Sequence, residues 1–508
     1  MSASCAPSPS LAADDKDAQN GPQVEALFLV RFDKKVGYTI AWRRTTTEIA
    51  LENAVEYKSL PSGLHSQASD LVYFTHAGYA GLSAFARGEA GAEERHASFV
   101  AVGILARRDG VLGRAWGVAG RLQSVAKTIA DDDEGSTAPL EELWAEHTSR
   151  AHGETAAAAA GDEERLPAFH PARAMLPYLD MFGPLVFRLQ QAALLRKRIL
   201  FVGRPPVRAM CEFVYILSIL SSLSPRDADL LLPGTEARLR LPTLFSVGVH
   251  DIAALETLTD GGWAACTTDE IIATKSSLYD VLVEMPDAHA EPKRWPRLRT
   301  SAGTLMKASQ RDVARYKMVH KELFKHRSGG SAARYTDNDN DDASDSAPLA
   351  SRDSIDAHGA EDEYSERHDD SMVEPMTWTR LAYSGFMWWA SAGEKDMTAT
   401  SEREADGELL GDLSAFSPCK LETAIIAYFH RQTSTLVSTL SDMIEEDDGE
   451  EHEDVVTLGR QQLSTLGLDT WSEADRAFVS EFGEMYMGRG VEVRGDEVDC
   501  CGLRVPLL

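Results

Sequence analysis

The stretch that most constrains the fold lies in the middle of the chain, at residues 176–223. Within it, residues 185–198 carry a helical pattern that ends in three cations, which oppose the negative end of a helix dipole. Residues 199–202 form a short apolar run that stops at a glycine, as is typical of a buried strand. Two prolines then open a nearly all-apolar helical pattern over residues 207–223. Helix, buried strand and buried helix in this order predict the centre of an α/β layer.

Length and composition place this layer within a larger molecule. A chain of 508 residues is too long for one hydrophobic core, so we expect two or three domains. The six cysteines are scattered without the spacing of a metal site, and the N-terminus has no apolar signal region. The longest apolar run, residues 213–223, is about half of the roughly 20 residues that a membrane span needs. These features indicate a soluble protein of the reducing cytosol.

The net charge of −29 is concentrated in three acidic runs. They cover residues 131–146, 331–375 and 441–454, carry −7, −11 and −9, and account for −27 of the total. Runs of this kind are usually solvated, disordered loops, so the folded remainder is expected to be nearly neutral. The charge argues against nucleic acid as a partner.

The pattern along the chain predicts five segments. Strands at 26–32, 38–42, 70–75, 79–85 and 98–106, followed by a helix at 114–130, indicate an α+β domain. A joint rich in glycine and alanine separates this domain from the one that holds the central stretch. In chain order we expect a disordered tail at 1–22, an α+β lobe at 23–152, a central α/β lobe at 165–327, a disordered acidic insertion at 328–375, and a mainly helical region with acidic loops at 376–508.

Three expectations concern the second half of the chain. A long basic helix is predicted from about Ser301 to His326, and an acid-rich loop is predicted at 393–412. The helix that follows, from Lys420 to Met443, has an apolar face. The aromatic cluster at 378–389 is expected to be core rather than an exposed docking site.

The usual catalytic patterns are absent from the sequence. The predicted central strand is followed by a single glycine, Gly203, so neither a P-loop nor a dinucleotide fingerprint is present. No His-Glu-x-x-His helix and no paired Cys-x-x-Cys occurs, so we expect no metal and no cofactor. His65 and His76 are more simply interpreted as loop residues than as an acid/base pair, and Asp260 and Asp269 as turn or capping residues. An enzyme acting through its own side chains is therefore disfavoured.

A basic segment at residues 293–299 is a candidate interaction surface. Its cations surround Trp295 and are Lys293, Arg294, Arg297 and Arg299. The simpler interpretation is a solvated face with the tryptophan tucked beneath it. The functional alternative is attraction to an anionic membrane surface or an acidic partner, to which each surface cation adds on the order of 1 kcal/mol.

Motifs distributed along the chain form one recognisable series. They are Leu60–His65, Asp70–Phe74, Tyr79–Phe85, Phe182–Leu185, Ala192–Leu200, Thr267–Ile271, Tyr279–Val283, Leu381–Ala390, Leu466–Trp471 and Cys500-Cys501-Gly502. In this order they resemble a DENN module, more specifically its fungal LCHN-like subgroup, and the last three resemble an additional fungal C-terminal region. The resemblance covers nearly the whole chain outside the acidic loops and the N-terminal tail.

The resemblance implies both a fold and a function. The implied fold is a tripartite module with a longin-like N-terminal lobe, a central α/β lobe and a mainly helical C-terminal region. The implied function is guanine-nucleotide exchange on a Rab-type small GTPase in membrane traffic, by binding the GDP-bound or nucleotide-free GTPase at its switch regions. The region after Met376 departs from a typical third DENN segment, so a GTPase-binding adaptor without exchange activity is the alternative.

The resemblance also suggests where the partner binds. The loop formed by Leu60, Pro61, Gly63, Leu64 and His65 is expected to be the partner-facing edge. No catalytic residue is implied, because an exchange factor loosens a nucleotide that the GTPase itself holds. The implied location is the cytoplasm, with peripheral attachment to membranes as an option.

Overall fold

A computed structural model describes most of the chain. The described residues are 21–33, 35–88, 98–108, 110–132, 136–150, 166–287, 294–332, 370–378, 380–382, 397–411, 420–448, 455–494, 497–500 and 503–506. Most of the expected tail at 1–22 and of the expected insertion at 328–375 therefore lies outside the described residues.

The N-terminal lobe is built on a five-stranded antiparallel sheet. Its strands are β1 (Val24–Asp33), β2 (Gly37–Thr45), β3 (Ser69–His76), β4 (Tyr79–Gly88) and β5 (Ser98–Ala106), in the spatial order β3-β4-β5-β1-β2. Helix α1 (Val55–Ser59) precedes β3, and α2 (Ala119–Ala130) and α3 (Ala138–Arg150) follow β5. The buried face of α2 contains Leu122, Val125 and Ile129, which recur at helical spacing and pack towards β4 and β5.

The central lobe is an α/β layer around the stretch that the sequence singles out. Helices α4 (Met175–Phe182) and α5 (Leu185–Leu194) lead into strand β6 (Arg198–Val202), and α6 (Val207–Leu220) follows it. The other strands are β7 (Thr243–Ser246), β8 (Trp263–Thr267), β9 (Val281–Glu284), β10 (Arg297–Thr300) and β11 (Leu305–Met306). Short helices α7 (Ile252–Thr257) and α8 (Glu270–Ala273) lie between them. Strands β6 to β9 are parallel, in the order β9-β6-β8-β7, and β10 and β11 are added antiparallel.

The two lobes share a single sheet of 11 strands. Strand β7 of the central lobe meets β3 of the N-terminal lobe through one antiparallel residue pair, Phe74 opposite Phe245. The rings of Tyr73 and Phe245 also approach each other, with centroids 6.1 Å apart. This pairing joins two layers that the sequence presents as separate.

Both faces of the central sheet are covered. Because successive side chains of a strand point to opposite faces, Ile199 and Phe201 join the cluster that contains helices α4 to α6. Leu200 points the other way and packs with Leu255 of α7 and Ile272 of α8. The lobe therefore has a long-helix face and a short-helix face.

The C-terminal region is mainly helical. Helix α9 (Gln310–Ala332) leaves the sheet, and α10 (Met397–Leu410), α11 (Leu421–Asp448), α12 (Arg460–Thr465) and α13 (Glu473–Met487) follow. Strands β12 (Val455–Leu458) and β13 (Gly490–Val493) pair in parallel, and β14 (Glu497–Cys500) and β15 (Leu503–Pro506) form an antiparallel hairpin. The predicted fold class, α+β and α/β lobes followed by a mainly helical region, is confirmed. Among the described helices, none has the length and apolar character that crossing a membrane requires.

The prediction that the acidic stretches are loops is wrong in three places. Helix α3 occupies much of the run at 131–146, because Leu140 and Leu143 are fully buried and hold it on the lobe. The expected loop at 393–412 contains helix α10, and α11 continues to Asp448 inside the run at 441–454. Acidic side chains on the outer face of a helix leave its apolar face free to pack, so net charge alone does not distinguish a packed helix from a loop in these segments.

Two other expectations for the second half of the chain are also corrected. The predicted basic helix begins at Gln310 rather than Ser301, because residues 297–306 form β10 and β11. Its Arg311 and Arg315 are buried rather than solvated. In the aromatic cluster expected to be core, Trp378 is 85% exposed, and the aromatic residues after it lie outside the described residues.

Candidate functional site

The parallel strands of the central lobe end together at one edge of the sheet. In sheets of this kind the turns beyond the carboxyl ends of the strands commonly form the binding crevice. Here the turns after β6, β7, β8 and β9 form this edge, which we call the carboxyl edge: residues 203–206, 247–251, 268–270 and 285–287. The candidate site consists of these turns and the segments of the N-terminal lobe that contact them.

The loop predicted to face a partner touches the carboxyl edge. Gly63 has a φ of +84°, a left-handed conformation that favours glycine, and a Cβ added there would lie 3.3 Å from a ring carbon of the first proline in the turn after β6. Leu60 and Leu64 are buried in the core. Pro61 and Gly63 are half-buried and His65 is exposed. Of the five predicted residues, Pro61, Gly63 and His65 are therefore the ones that a partner could reach.

Helix α1, which leads into this loop, is tied to the central lobe by polar contacts. Lys58 Nζ lies 2.9 Å from Asp251 Oδ1 and donates to the carbonyl oxygen of Thr75 at 2.8 Å. The rings of Tyr57 and His250 lie beside each other, with centroids 5.4 Å apart. Burial by itself raises the pKa of Asp251, but the contacts with His250 and Lys58 outweigh it and lower the pKa to about 2. The carboxylate is therefore charged at neutral pH and holds the two lobes together.

Asp70, at the start of β3, caps a helix of the other lobe. Its Oδ2 accepts a hydrogen bond from Val207 N at 2.6 Å, and its Oδ1 accepts one from Arg208 N at 3.3 Å. These are the first N–H groups of α6, which have no partner within the helix. Burial raises the pKa of Asp70, and the backbone hydrogen bonds oppose that rise. The side chain fixes the N-terminus of α6 against the N-terminal lobe.

Three exposed apolar side chains belong to neighbouring segments where the lobes meet. Tyr57 of α1 is 45% exposed, Val249 in the turn after β7 is 48% exposed, and Ile271 of α8 is 56% exposed. Contacts connect their segments: the ring of Tyr57 lies against that of His250, next to Val249, and Val249 N donates to Asp269 Oδ2 at 3.0 Å, two residues before Ile271. We call Tyr57, Val249 and Ile271 the cross-lobe patch. An exposed apolar patch with a polar rim is typical of a protein-binding surface.

The basic segment lies at the same edge of the sheet, in β10 and the residues just before it. Arg297 stands opposite Glu284, the last residue of β9, in the antiparallel ladder. Arg294 and Arg297 are exposed, whereas Arg299 is half-buried and pairs with Glu284, Nε to Oε2 at 3.2 Å. Lys293 lies outside the described residues. Two of the four predicted cations thus face solvent, and their contact with an anionic surface stays a prediction.

The simpler interpretations hold for several other residues. Trp295 is 4% exposed and packs against Gly183, as expected for a tryptophan buried beneath a solvated basic face. Asp269 accepts the backbone hydrogen bond described above, which is a turn role, and Asp260 is exposed beside a turn. His76, expected in a loop, is instead the last residue of β3, where its Nε2 lies 2.6 Å from the carbonyl oxygen of Ala50, at the far end of the strand from the predicted loop. The metal-ligating residue types do not form a cluster that could hold an ion anywhere in the described segments.

A concavity of about 990 Å³ lies between α5 and helices α9 to α12. Several of its charged side chains pair with one another. Arg311 and Arg315 lie 3.1 and 2.7 Å from Asp406 Oδ1, and Arg380 lies 3.0 Å from Asp469 Oδ2. Sequence reasoning missed these ion pairs, although two arginines four residues apart on one helix face were a usable signal. Paired in this way, the cations serve structure rather than chemistry.

The fold and the site define a two-lobed α/β module with an apolar surface shared between its lobes. A family model described as DENN domain-containing protein 11 matches residues 27–294, just over half of the chain, and the chain belongs to this family. The predicted resemblance to a DENN module is thereby confirmed. A second model, a domain of unknown function (DUF4484), matches residues 373–456 and 445–506.

Some relatives match little more than half of the chain, and another matches nearly all of it. DENN domain-containing protein 11 of Xenopus laevis is 32% identical over 287 residues, which is 52% of this chain and 61% of that protein. The protein of the same name from Danio rerio is 30% identical over 311 residues, 58% of this chain and 59% of that protein. The uncharacterized protein ANR2 of Saccharomyces cerevisiae is 23% identical over 520 residues, 93% of each chain. The chain thus spans less than two thirds of the frog and fish proteins and nearly all of the yeast protein.

Proposed function

We propose that this protein binds a Rab-type small GTPase, GDP-bound or nucleotide-free, and promotes the release of GDP in membrane traffic. The observation that carries the proposal is the cross-lobe patch, Tyr57, Val249 and Ile271, in a member of a DENN family. Both lobes contribute to this patch, so a bound partner would contact both at once.

Nucleotide exchange makes few chemical demands on the protein that promotes it. The GTPase holds its nucleotide through its own phosphate-binding loop, Mg²⁺ and switch regions, and a partner that moves these elements loosens the nucleotide. By linkage, the partner and the nucleotide weaken each other's binding by the same factor. The protein therefore needs a well-positioned surface rather than a nucleophile or a general base.

The patch has the composition expected at the centre of such a surface. Aromatic and apolar anchors surrounded by polar groups contribute most of the binding energy in protein interfaces. A specific interface buries about 1,200–2,000 Å² in total, which is more than three side chains supply. The exposed part of the adjoining loop, Pro61, Gly63 and His65, extends the surface from α1 along the N-terminal lobe.

The test is release of fluorescent mant-GDP from a panel of Rab GTPases. Ile271→Asp places a charge at the most exposed apolar position of the patch and is expected to slow the stimulated release about tenfold or more, a loss typical of a central interface residue. Leu258→Asp is the matched control, because Leu258 is also apolar and 40% exposed but follows α7 outside the patch. Equal effects of the two substitutions would argue against the patch.

A GTPase-binding adaptor without exchange activity is the second candidate. It is favoured by one observation, that the chain beyond residue 373 matches a family model separate from the DENN model. Immobilised protein that captures GTP-loaded GTPase in preference to the nucleotide-free form would support the adaptor. The opposite preference would support exchange, because an exchange factor binds the nucleotide-free state most tightly.

A further inference from the structure

We propose that residues 370–494, which we call the C-terminal lobe, are a permanently docked part of the central lobe, with Arg188 of α5 as the anchor. The two family matches, one ending at residue 294 and the other beginning at 373, would by themselves suggest separable domains. The side-chain contacts between the two parts argue for a single unit. The inference does not depend on the proposed function.

Arg188 is the centre of a buried set of ion pairs. Its side chain is 2% exposed, and its Nη1 lies 2.5 Å from Oδ1 of Asp475, which is also 2% exposed. Its Nη2 donates to Ser472 Oγ at 2.8 Å and lies 3.2 Å from Glu374 Oε1. Its Nε lies 3.3 Å from Asp312 Oδ2. A buried charge needs such partners, and two of the three carboxylates around Arg188, those of Glu374 and Asp475, come from the C-terminal lobe.

Apolar packing crosses the same boundary. The rings of Phe187 on α5 and Phe429 on α11 lie with their centroids 5.6 Å apart. Leu194 at the end of α5 belongs to a buried cluster whose other members include Phe482 and Tyr486 of α13. The cores of the central and C-terminal lobes are therefore continuous rather than merely adjacent.

The C-terminal lobe also caps helices of the central lobe. The last four carbonyl groups of a helix have no partner within it. At the end of α5, the hydroxyl of Tyr486 donates to the carbonyl oxygen of Leu194 at 2.8 Å. At the end of α6, His430 Nε2 lies 2.9 Å from the carbonyl oxygen of Ile219. Undocking would remove these partners and expose the apolar surface around them.

The docked lobe and two of the three patch residues, Val249 and Ile271, lie on different sides of the sheet. The C-terminal lobe packs on α5 and α6, which cover the long-helix face. Ile271 belongs to α8, and Val249 to the turn before α7, on the short-helix face. In the described part of the chain the lobe therefore completes the core without covering the surface proposed for the GTPase. This geometry assigns it a structural role rather than an autoinhibitory one.

The test cuts the chain between the two parts and asks whether they stay together. In the full chain, a recognition site for a site-specific protease replaces residues 340–350, outside the described residues, and complete cleavage is verified by mass spectrometry. Gel filtration of the cut protein without denaturant, and without any GTPase, is expected to give one peak with both fragments. Two separate peaks at physiological salt would overturn the proposal.

Substitutions in the same cut protein test the anchor. Arg188→Met is expected to raise the dissociation constant of the fragments about 100-fold or more, because it leaves three carboxylates without their cation. Arg188→Lys keeps the positive charge but loses the planar set of guanidinium N–H donors, and it is expected to have a smaller effect. This variant replaces Arg188→Met in the test if the methionine variant does not fold. Arg121→Met is the matched control, since Arg121 forms exposed ion pairs with Glu142 and Glu146. If neither Arg188 variant had a higher fragment dissociation constant than the Arg121→Met control, the role assigned to Arg188 would be overturned.

Discussion

The two internal junctions of this molecule are built in different ways. The N-terminal and central lobes share one buried apolar cluster, the ladder pair of Phe74 with Phe245, and polar contacts such as those of Asp70 and Lys58. The central and C-terminal lobes also share buried apolar residues, and they add the buried ion pairs of Arg188. Exposed apolar side chains border the first junction, whereas the second holds a set of buried charges. We therefore assign partner binding to the first junction and expect the largest stability effects at the second.

Arg188→Met is expected to be the most damaging single substitution at either junction. Removing one member of a buried ion pair leaves an uncompensated buried charge and costs about 3–5 kcal/mol of unfolding free energy. Urea denaturation of the intact chain measures the loss. Arg121→Met, which removes exposed ion pairs, is expected to cost less than about 1 kcal/mol. Similar losses for both variants would contradict the distinction between the junctions.

Asp70→Ala tests the junction of the N-terminal and central lobes. It is expected to cost about 1–3 kcal/mol of unfolding free energy, because it removes a helix cap and leaves the Val207 N–H without its partner. Hydrogen exchange at the start of α6 is expected to accelerate, while exchange in α13 stays unchanged. Asp70→Asn retains an acceptor and is expected to recover part of the loss. Unaltered exchange in α6 with Asp70→Ala would show that the cap does not hold this junction.

The stability of the junction between the central and C-terminal lobes is expected to depend on pH through Asp312. Burial raises the pKa of Asp312 to about 6, while Arg188 opposes the rise and Asp475 adds to it. In the unfolded chain the pKa is about 3.9, so between about pH 4 and 6 the folded state binds more protons. The contribution of Asp312 to the unfolding free energy is therefore fully present at low pH and is lost as the pH rises from about 4 to above 6.

Asp312→Asn isolates this effect, since asparagine can still accept the hydrogen bond that Ser309 N donates at 2.9 Å. The unfolding free energy of the variant minus that of the wild type is expected to rise by on the order of 1–3 kcal/mol as the pH increases from 5 to 7.5, because only the wild type loses the contribution of Asp312. Urea unfolding of both proteins at the two pH values measures the difference. A difference that does not change with pH would contradict the assignment to Asp312.

The smallest expected effect concerns the basic segment at the outer end of the carboxyl edge. Charge reversal of Arg294 and Arg297 together should weaken binding to anionic liposomes, each cation contributing on the order of 1 kcal/mol. Reversal of Arg299 should matter less, because that guanidinium already pairs with Glu284. Liposome co-sedimentation at low and high salt provides the measurement. Unchanged liposome binding by the variant with both Arg294 and Arg297 reversed would contradict a membrane contact of this segment.

Much of the local structure could be predicted from the sequence. Strand β5 has the predicted bounds, because a continuous apolar run between polar turns leaves few alternatives. The pairing of β3 with β7 could not be predicted, since one residue pair leaves no periodic signal. Helix α3 was obscured by its acidic side chains, although Leu140 and Leu143 carried the relevant spacing.

The candidate site was harder to predict than the fold. The resemblance led to the Leu60–His65 loop, which contacts the carboxyl edge of the sheet but has two residues in the core. Tyr57, Val249 and Ile271 are far apart in sequence, and each resembles an ordinary apolar residue. Only the tertiary contacts of His250 and Asp269 bring them together. The Arg188 centre was invisible for the same reason, because its carboxylates lie more than a hundred residues away.

The most direct test of the central claim is the rate of mant-GDP release from each member of a Rab panel, with excess wild-type protein and with Ile271→Asp. The account predicts that the wild type accelerates release from at least one GTPase. It also predicts that Ile271→Asp loses most of this acceleration while its unfolding free energy is unchanged, and that Leu258→Asp behaves like the wild type. No acceleration across the panel, or equal acceleration by the wild type and Ile271→Asp, would contradict it.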